Sequence, residues 1–299
     1  MAFQLRFGAF IHQDKPIPNL IRRWQVLDKL GLDHLWLTDH FNPFWSPTSD
    51  WYDAWVLLSA LAVQSQSVRV GTLVTPVAYR NPALLAQMIM TLDHLSNGRL
   101  EIAIGSGVTE DLSYSMLGIS LGNPSEMVQR TRETVHILDE LLRKGRCTYQ
   151  GVYSHITEAV ISPRPLQQPR PPLTIAAHRP AMMKVAAQYA DTWNTHVGTV
   201  GGTDISYNDT LSQLKQRADQ FEESCRNVGR DPSTVRRSVM ILTEWNSFCA
   251  SPTAFRDGVH QYRDIGITDF IFPGYSLERE GVIQIIVNEI IPELRRETV

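Results

Sequence analysis

The chain has 299 residues, 43% hydrophobic and 20% charged, with 28 Lys and Arg against 31 Asp and Glu. A net charge of −3 without long like-charge runs argues against a phosphate-neutralising nucleic-acid surface. No stretch approaches the ~18 consecutive apolar residues of a membrane span.

This length suits two average domains or one large barrel, and it buries a core without disulfide or metal staples. Cys147, Cys225 and Cys249 form no C-x-x-C pair. Met1–Phe10 lacks the basic-then-apolar pattern of a signal peptide. The expectation is therefore a cytoplasmic globular protein.

Hydrophobic periodicity gives alternating strands and helices. Leu5–Phe10 reads as a strand and Asn19–Leu30 as a helix stopped by Gly31. His34–Thr38 is the second strand, and Trp51–Gln64 carries the i, i+3, i+4 stripe of a packed helix. Val68–Val74 is a β-branched strand, Pro82–Leu95 a helix with Pro at its first position, and Leu100–Gly105 the fourth strand.

Glu126–Lys144 is a long helix closed by Gly145. Further strands are expected at Leu173–Ala177, Thr192–Thr195, Arg237–Thr243 and Asp269–Phe272. The helices between and after them are Pro180–Tyr189, Asp209–Val228, Pro252–Ile265 and Glu278–Arg295. Eight strands of this kind, each followed by a helix, predict an α/β fold, a (β/α)8 TIM barrel, with an open doubly wound sheet as the alternative.

Two segments break the rhythm of a single 1–299 barrel. One is an insertion around 145–172, with a hairpin at Tyr149–Tyr153 and a proline-rich extended connection after it. The other is a Gly-, Thr- and Asp-rich loop over 195–208, of the length usual for lids and binding loops.

Barrels bind ligands at the C-terminal ends of their strands. Thr38-Asp39-His40-Phe41 follows the second strand, either as a capped turn or as an imidazole and carboxylate for acid–base work. Phe44 and Trp45 just beyond are ordinary packing or the wall of a site for a flat ring. Gly105-Ser106-Gly107 after the fourth strand allows close backbone approach to a ligand. Glu110 stands where the dinucleotide fingerprint needs its third glycine, so that fingerprint fails. Glu110 itself reads as a solvated acid or a proton donor. Ala177-His178-Arg179 opens a helix, a phosphate seat or a solvated arginine. No metal motif is present, and no G-x-S-x-G.

The segments Gly31–Phe41, Arg69–Pro76, Arg80–Pro82, Leu92–Arg99, Pro163–Pro172 and Ala190–Asn194 together resemble the luciferase-like flavin and deazaflavin oxidoreductases. The resemblance implies a (β/α)8 barrel, commonly a homodimer or larger, with reduced FMN or coenzyme F420 at the strand ends. Asp39-His40-Phe41 with Glu110 looks most like the F420-dependent branch. That likeness implies hydride transfer to or from a small organic substrate, with His40 handling the substrate proton and Glu110 as proton donor. Asp39 would orient His40 or contact the cofactor.

It further implies a cis peptide near Leu73–Val74, and cofactor contacts from Leu73, Val74, Thr75, Gly105, Ser106, Gly107, Ala177, His178 and Arg179. Phe44 and Trp45 would line the substrate. His178-Arg179 replaces the family's frequent Gly-Gly phosphate turn, and the loop holding Gly198 and Gly201 lacks the lysine of sugar-phosphate enzymes. The alternative within the resemblance is an FMNH2-dependent monooxygenase fed by a separate flavin reductase. Less favoured is a non-catalytic flavin-binding member.

Overall fold

Short apolar runs with helices between them have two faces to cover, which a closed parallel sheet inside a helical ring achieves. The computed structural model describes residues 3–43, 46–197, 211–242, 245–274 and 281–297. Its strands are β1 (Arg6–Ile11), β2 (His34–Leu37), β3 (Arg69–Thr72), β4 (Thr75–Pro76), β5 (Leu100–Gly105), β6 (Arg146–Gln150), β7 (His155–Val160), β8 (Leu173–Ala176), β9 (Thr192–Val197), β10 (Arg236–Ile241) and β11 (Asp269–Pro273).

Strand β1 pairs with both β2 and β11, and the ring runs on through β10, β9, β8 and β5 to β3 and β4. Every pairing in the ring is parallel. The expected (β/α)8 barrel is the fold found, not the open sheet. The antiparallel pair β6–β7 stands outside it as the inserted hairpin.

The helices are α1 (Ile17–Lys29), α2 (Ala54–Gln64), α3 (Pro82–Leu95), α4 (Ser113–Met116), α5 (Pro124–Lys144), α6 (Pro180–Tyr189), α7 (Leu211–Asn227), α8 (Trp245–Phe248) and α9 (Pro252–Arg263). Helix α2 starts at Ala54 rather than Trp51, because the Asp53 side chain caps it by accepting from the Val56 N–H. The C-terminal helix is broken by a π-turn over Ile286–Ile290. Pro292, which lacks an N–H and crowds the preceding turn, follows directly. Strand β3 ends at Thr72 instead of Val74, because the Leu73–Val74 peptide is cis and the chain re-enters the sheet only at β4.

Side chains alternate across each strand. Phe7, Ala9, Leu35, Leu37, Ile102, Ile104, Phe270 and Phe272 join the core beneath the helices. Phe10, Trp36, Leu73, Ala103 and Ile271 form a smaller cluster inside the barrel. Trp36 fits there because β3 carries a glycine opposite it. A Cβ on Gly71 would lie 2.4 Å from the indole and 2.5 Å from the Glu101 carbonyl oxygen.

The barrel floor below is charged and paired. Glu101 accepts from Arg6 and Arg69, each at 2.5 Å. His34 Nδ1 accepts from Trp36 Nε1 at 2.7 Å, so its Nε2–H donates to Asp269 at 2.8 Å. Burial opposes ionisation of Asp269, but His34 and Arg6 outweigh it and hold the carboxyl at about 2.

Gly71→Ala forces the indole against a backbone that cannot move. It is expected to cost about 2–3 kcal/mol, read as a lower denaturation midpoint with altered tryptophan fluorescence. An unchanged midpoint would contradict this packing.

Candidate active site

The mouth of the barrel is built from the residues that follow each strand. His40, just past β2, is one-fifth exposed, and its Nδ1 lies 2.8 Å from Asp111 Oδ2. Asp111 is buried, and its Oδ1 accepts the Ser113 N–H at 2.8 Å, which fixes the carboxylate plane. Burial works against its charge, yet hydrogen bonds from His40 and Ser113 leave the carboxyl below its ordinary value. Trp51 Nε1 donates to the His40 carbonyl at 2.9 Å, tying the loop down behind the imidazole.

These contacts correct one expectation. Asp39 does not orient His40; it is 2% exposed and its carboxylate takes both arms of Arg80, at 2.6 and 3.1 Å. Trp55 Nε1 bridges Asp39 Oδ2 and Thr75 Oγ1, at 3.2 and 3.1 Å. Burial pushes the Asp39 carboxyl up while the Arg80 guanidinium pulls it down, and burial prevails. The acid brought to His40 is Asp111, whereas Glu110 next to it is exposed. Adjacent loop residues point in different directions, and the Ser113 N–H selects the one that turns inward.

The cis bond lies where expected, between Leu73 and Val74. Gly105 faces it from β5: a Cβ there would meet a Val74 methyl at 2.5 Å. Thr75 Oγ1 is 2.6 Å from Thr72 Oγ1, so hydroxyls on both sides of the cis bond hold each other. Gly107 adopts φ 98°, and Ser106 stands half-buried between the two glycines. Phe44, Trp45 and most of the 195–208 loop, Gly198 and Gly201 included, lie outside the described residues.

Across the mouth, Ala177 is buried and Arg179 exposed at the first turn of α6. His178 points inward. Its Nδ1 is 2.9 Å from Thr195 Oγ1 and its Nε2 3.1 Å from His196 Nδ1. Arg217 of α7 donates to Thr195 Oγ1 and to the His196 carbonyl. Burial and the neighbouring cations hold His178 well below its ordinary value, and the same two causes bring His196 to about 4. His12, past β1 and packed on Phe10 and Trp51, is lowered by burial to about 4.

Sequence reading gave no site role to Asp111, Arg80, His12, His196 or the fully buried Gln13, whose Nε2 donates to the Thr38 carbonyl at 2.5 Å. His12, Gln13 and His196 carried a usable signal, since each sits at the C-terminal end of a strand. Among the described residues no three His, Cys, Asp or Glu side chains converge as a metal site. No described helix is long and apolar enough to cross a membrane.

A parallel barrel with an acid-backed histidine at its mouth defines the barrel enzymes that work by proton transfer at the strand ends. The family model for luciferase-like monooxygenase matches residues 1–247. The chain therefore belongs to the luciferase-like monooxygenase family. It is 32% identical over 337 aligned positions to an F420-dependent glucose-6-phosphate dehydrogenase of Microbacterium testaceum, covering 99% of each chain. A protein of the same description from Kineococcus radiotolerans is 32% identical over 209 residues, which is 70% of this chain and 59% of that one. Among solved structures, an F420-dependent secondary alcohol dehydrogenase in complex with an F420-acetone adduct superposes with TM-score 0.80 at 20% identity, over 98% and 99% of the two chains.

The depressed imidazoles have a measurable consequence. The unfolded chain protonates these histidines near pH 6.5 while the folded mouth keeps His12 and His196 neutral down to about 4. Stability is therefore full above pH 6.5 and falls as pH drops toward 4, by up to about 1.4 kcal/mol per pH unit for each histidine. Denaturant midpoints between pH 7 and 4 should show this slope, and His12→Gln with His196→Gln should flatten it. Equal slopes would contradict the shifts.

Proposed function

We propose that the chain is an F420-dependent oxidoreductase that transfers a hydride between coenzyme F420 and a small organic substrate. The observation that carries this reading is His40, backed by Asp111, at the barrel mouth beside the end of β3. The near-full-length relative named for F420 supports it.

The residues present fit a flat ring with an anionic extension. Val74 offers an apolar surface, and Gly105 leaves it room that any side chain would fill. Ser106 and Gly107 supply polar groups beside it, while the fully buried Thr75 hydroxyl stays engaged with Thr72 and Trp55. Ala177, His178 and Arg179 would hold an acidic extension at the first turn of α6. When bound, the deazaflavin supplies the hydride chemistry at its C5.

The protein manages the proton. With the Nδ1–H given to Asp111, His40 Nε2 carries the lone pair that takes a hydroxyl proton in the oxidative direction. In the reductive direction the same atom returns it. Asp111 keeps the ring in that tautomer and stabilises the imidazolium that forms. Asp39 acts one step back, by fixing the start of the loop that presents His40.

Asp111→Asn should lower kcat about a hundredfold while F420 still binds, and Glu110→Gln should change little. F420 consumption followed by visible absorbance over a panel of alcohols and activated carbonyl compounds reads both. Loss from Glu110→Gln with full activity in Asp111→Asn would reverse the assignment. Titration of F420 and FMN by fluorescence decides the cofactor. Tight FMN binding with oxygen uptake, and none of F420, would make the chain a monooxygenase served by a flavin reductase.

A homodimer completes the reading. Helix α2 is apolar on every side: Trp55, Leu58 and Leu61 face the core, while Val56 and Val63 are 74% and 57% exposed, with Leu84 of α3 at 53%. A helix apolar all round needs cover on its outer face, and a second copy provides it. Val56→Glu with Val63→Glu should convert the dimer to monomer in light scattering. A monomeric parent protein would refute this.

A further inference from the structure

Beside the barrel mouth lies a cavity of about 330 Å³, bounded by the first turn of α3, the middle of α5 and the tip of the β6–β7 hairpin. Its lining includes Arg80, Asn81, Arg130, Ser154 and His155, and no carboxylate.

The hairpin tip is fastened by Glu133 on α5. Its two carboxylate oxygens accept the N–H groups of Val152, Tyr153 and Ser154, each at 2.9 Å. Glu133 is thereby committed to backbone. The clasp sets the Tyr153 ring 5.0 Å from the Arg130 guanidinium. Arg130 has its Nε buried without a hydrogen-bond partner, and among the described residues it forms no ion pair. With Nε closed off and the terminal nitrogens accessible, the planar fork held over Tyr153 is set to receive an oxyanion.

The opposite wall holds a second guanidinium, Arg80. Its charge is shared with Asp39 at 2.6 Å and Asp53 at 3.6 Å. The first turn of α3, capped by the Asn81 side chain, adds the positive end of a 14-residue helix.

We propose that this cavity is an oxyanion-binding site that takes a phosphate or carboxylate group of a small molecule, with Arg130 as its principal ligand. Because Arg80 belongs to both the cavity and the Asp39 pair, occupancy there is felt at the barrel mouth.

The site is tested by calorimetric titration of the full chain with inorganic phosphate, alongside Arg130→Met and Arg130→Lys. Phosphate should bind the parent protein, bind at least tenfold more weakly to Arg130→Met, and be partly restored in Arg130→Lys. Thermal unfolding of both variants shows that each is folded.

A second arm identifies the source of the oxyanion by comparing F420 with 5-deazariboflavin, which lacks the acidic tail. If the group belongs to the cofactor, Arg130→Met weakens F420 tenfold, leaves 5-deazariboflavin unchanged, and phosphate competes with F420. If it belongs to a separate molecule, F420 affinity is unchanged by Arg130→Met while phosphate affinity falls.

Phosphate binding equally to parent and Arg130→Met overturns the proposal. So does an absence of phosphate binding to the parent together with unchanged F420 affinity. The phosphate arm is independent of the cofactor, so a parent that binds phosphate but not F420 overturns the reading of function and leaves the cavity standing.

Discussion

A carboxylate removed from water must be paired, and at Asp39 that requirement organises the mouth of the barrel. Its two oxygens draw in Arg80 from the loop after β4 and Trp55 from α2. Trp55 passes the constraint on to Thr75, which holds Thr72 across the cis bond. One buried charge thus fixes the end of β2, the ridge after β3 and the start of α3 against each other. Removing either partner would strand a charge at 2% exposure, the costly way to break such a pair. His40 inherits its position from this arrangement as the next residue in the chain, and its chemistry from Asp111.

The barrel interior shows the same economy lower down. A tryptophan inside a barrel of eight strands needs space that neighbouring strands must give up, and Gly71 gives it. The indole N–H then sets the His34 tautomer, and His34 satisfies Asp269. Arg6, Arg69 and Glu101 complete a floor in which each charge meets its opposite. Packing and polar satisfaction are therefore one constraint here, running from Gly71 through Trp36 to the bottom of the sheet.

What the sequence made legible follows from range. Parallel strands buried on both faces leave continuous apolar runs, and Leu100–Gly105, Pro82–Leu95 and Pro180–Tyr189 were readable to the residue. The Leu73–Val74 cis bond was reachable only through the family resemblance, since nothing in its side chains announces it. The partner of His40 was not readable. Asp39 adjoins it in the chain and Glu110 satisfies the motif, yet the contact is made by Asp111, 71 positions away. That choice is settled by one backbone N–H at Ser113, a geometric fact with no signature in composition or spacing. The pairing of Asp39 with Arg80, 41 positions apart, is hidden for the same reason.

The His178–His196 pair shows how the chain departs from its own family. Where a Gly-Gly turn would offer bare backbone N–H groups to a phosphate, this chain inserts an imidazole and anchors it through Thr195 and Arg217. A protonated imidazole there would add charge beside Arg217 and Arg179, and burial with that repulsion keeps both rings neutral. Two neutral rings in contact fill space and exchange hydrogen bonds without attracting an anion. The positive charge in this part of the mouth is therefore carried by Arg179 on the rim and Arg217 behind Thr195 rather than by the turn itself. The two imidazoles thus separate the exposed Arg179 from Arg217, with neutral rings between two guanidiniums.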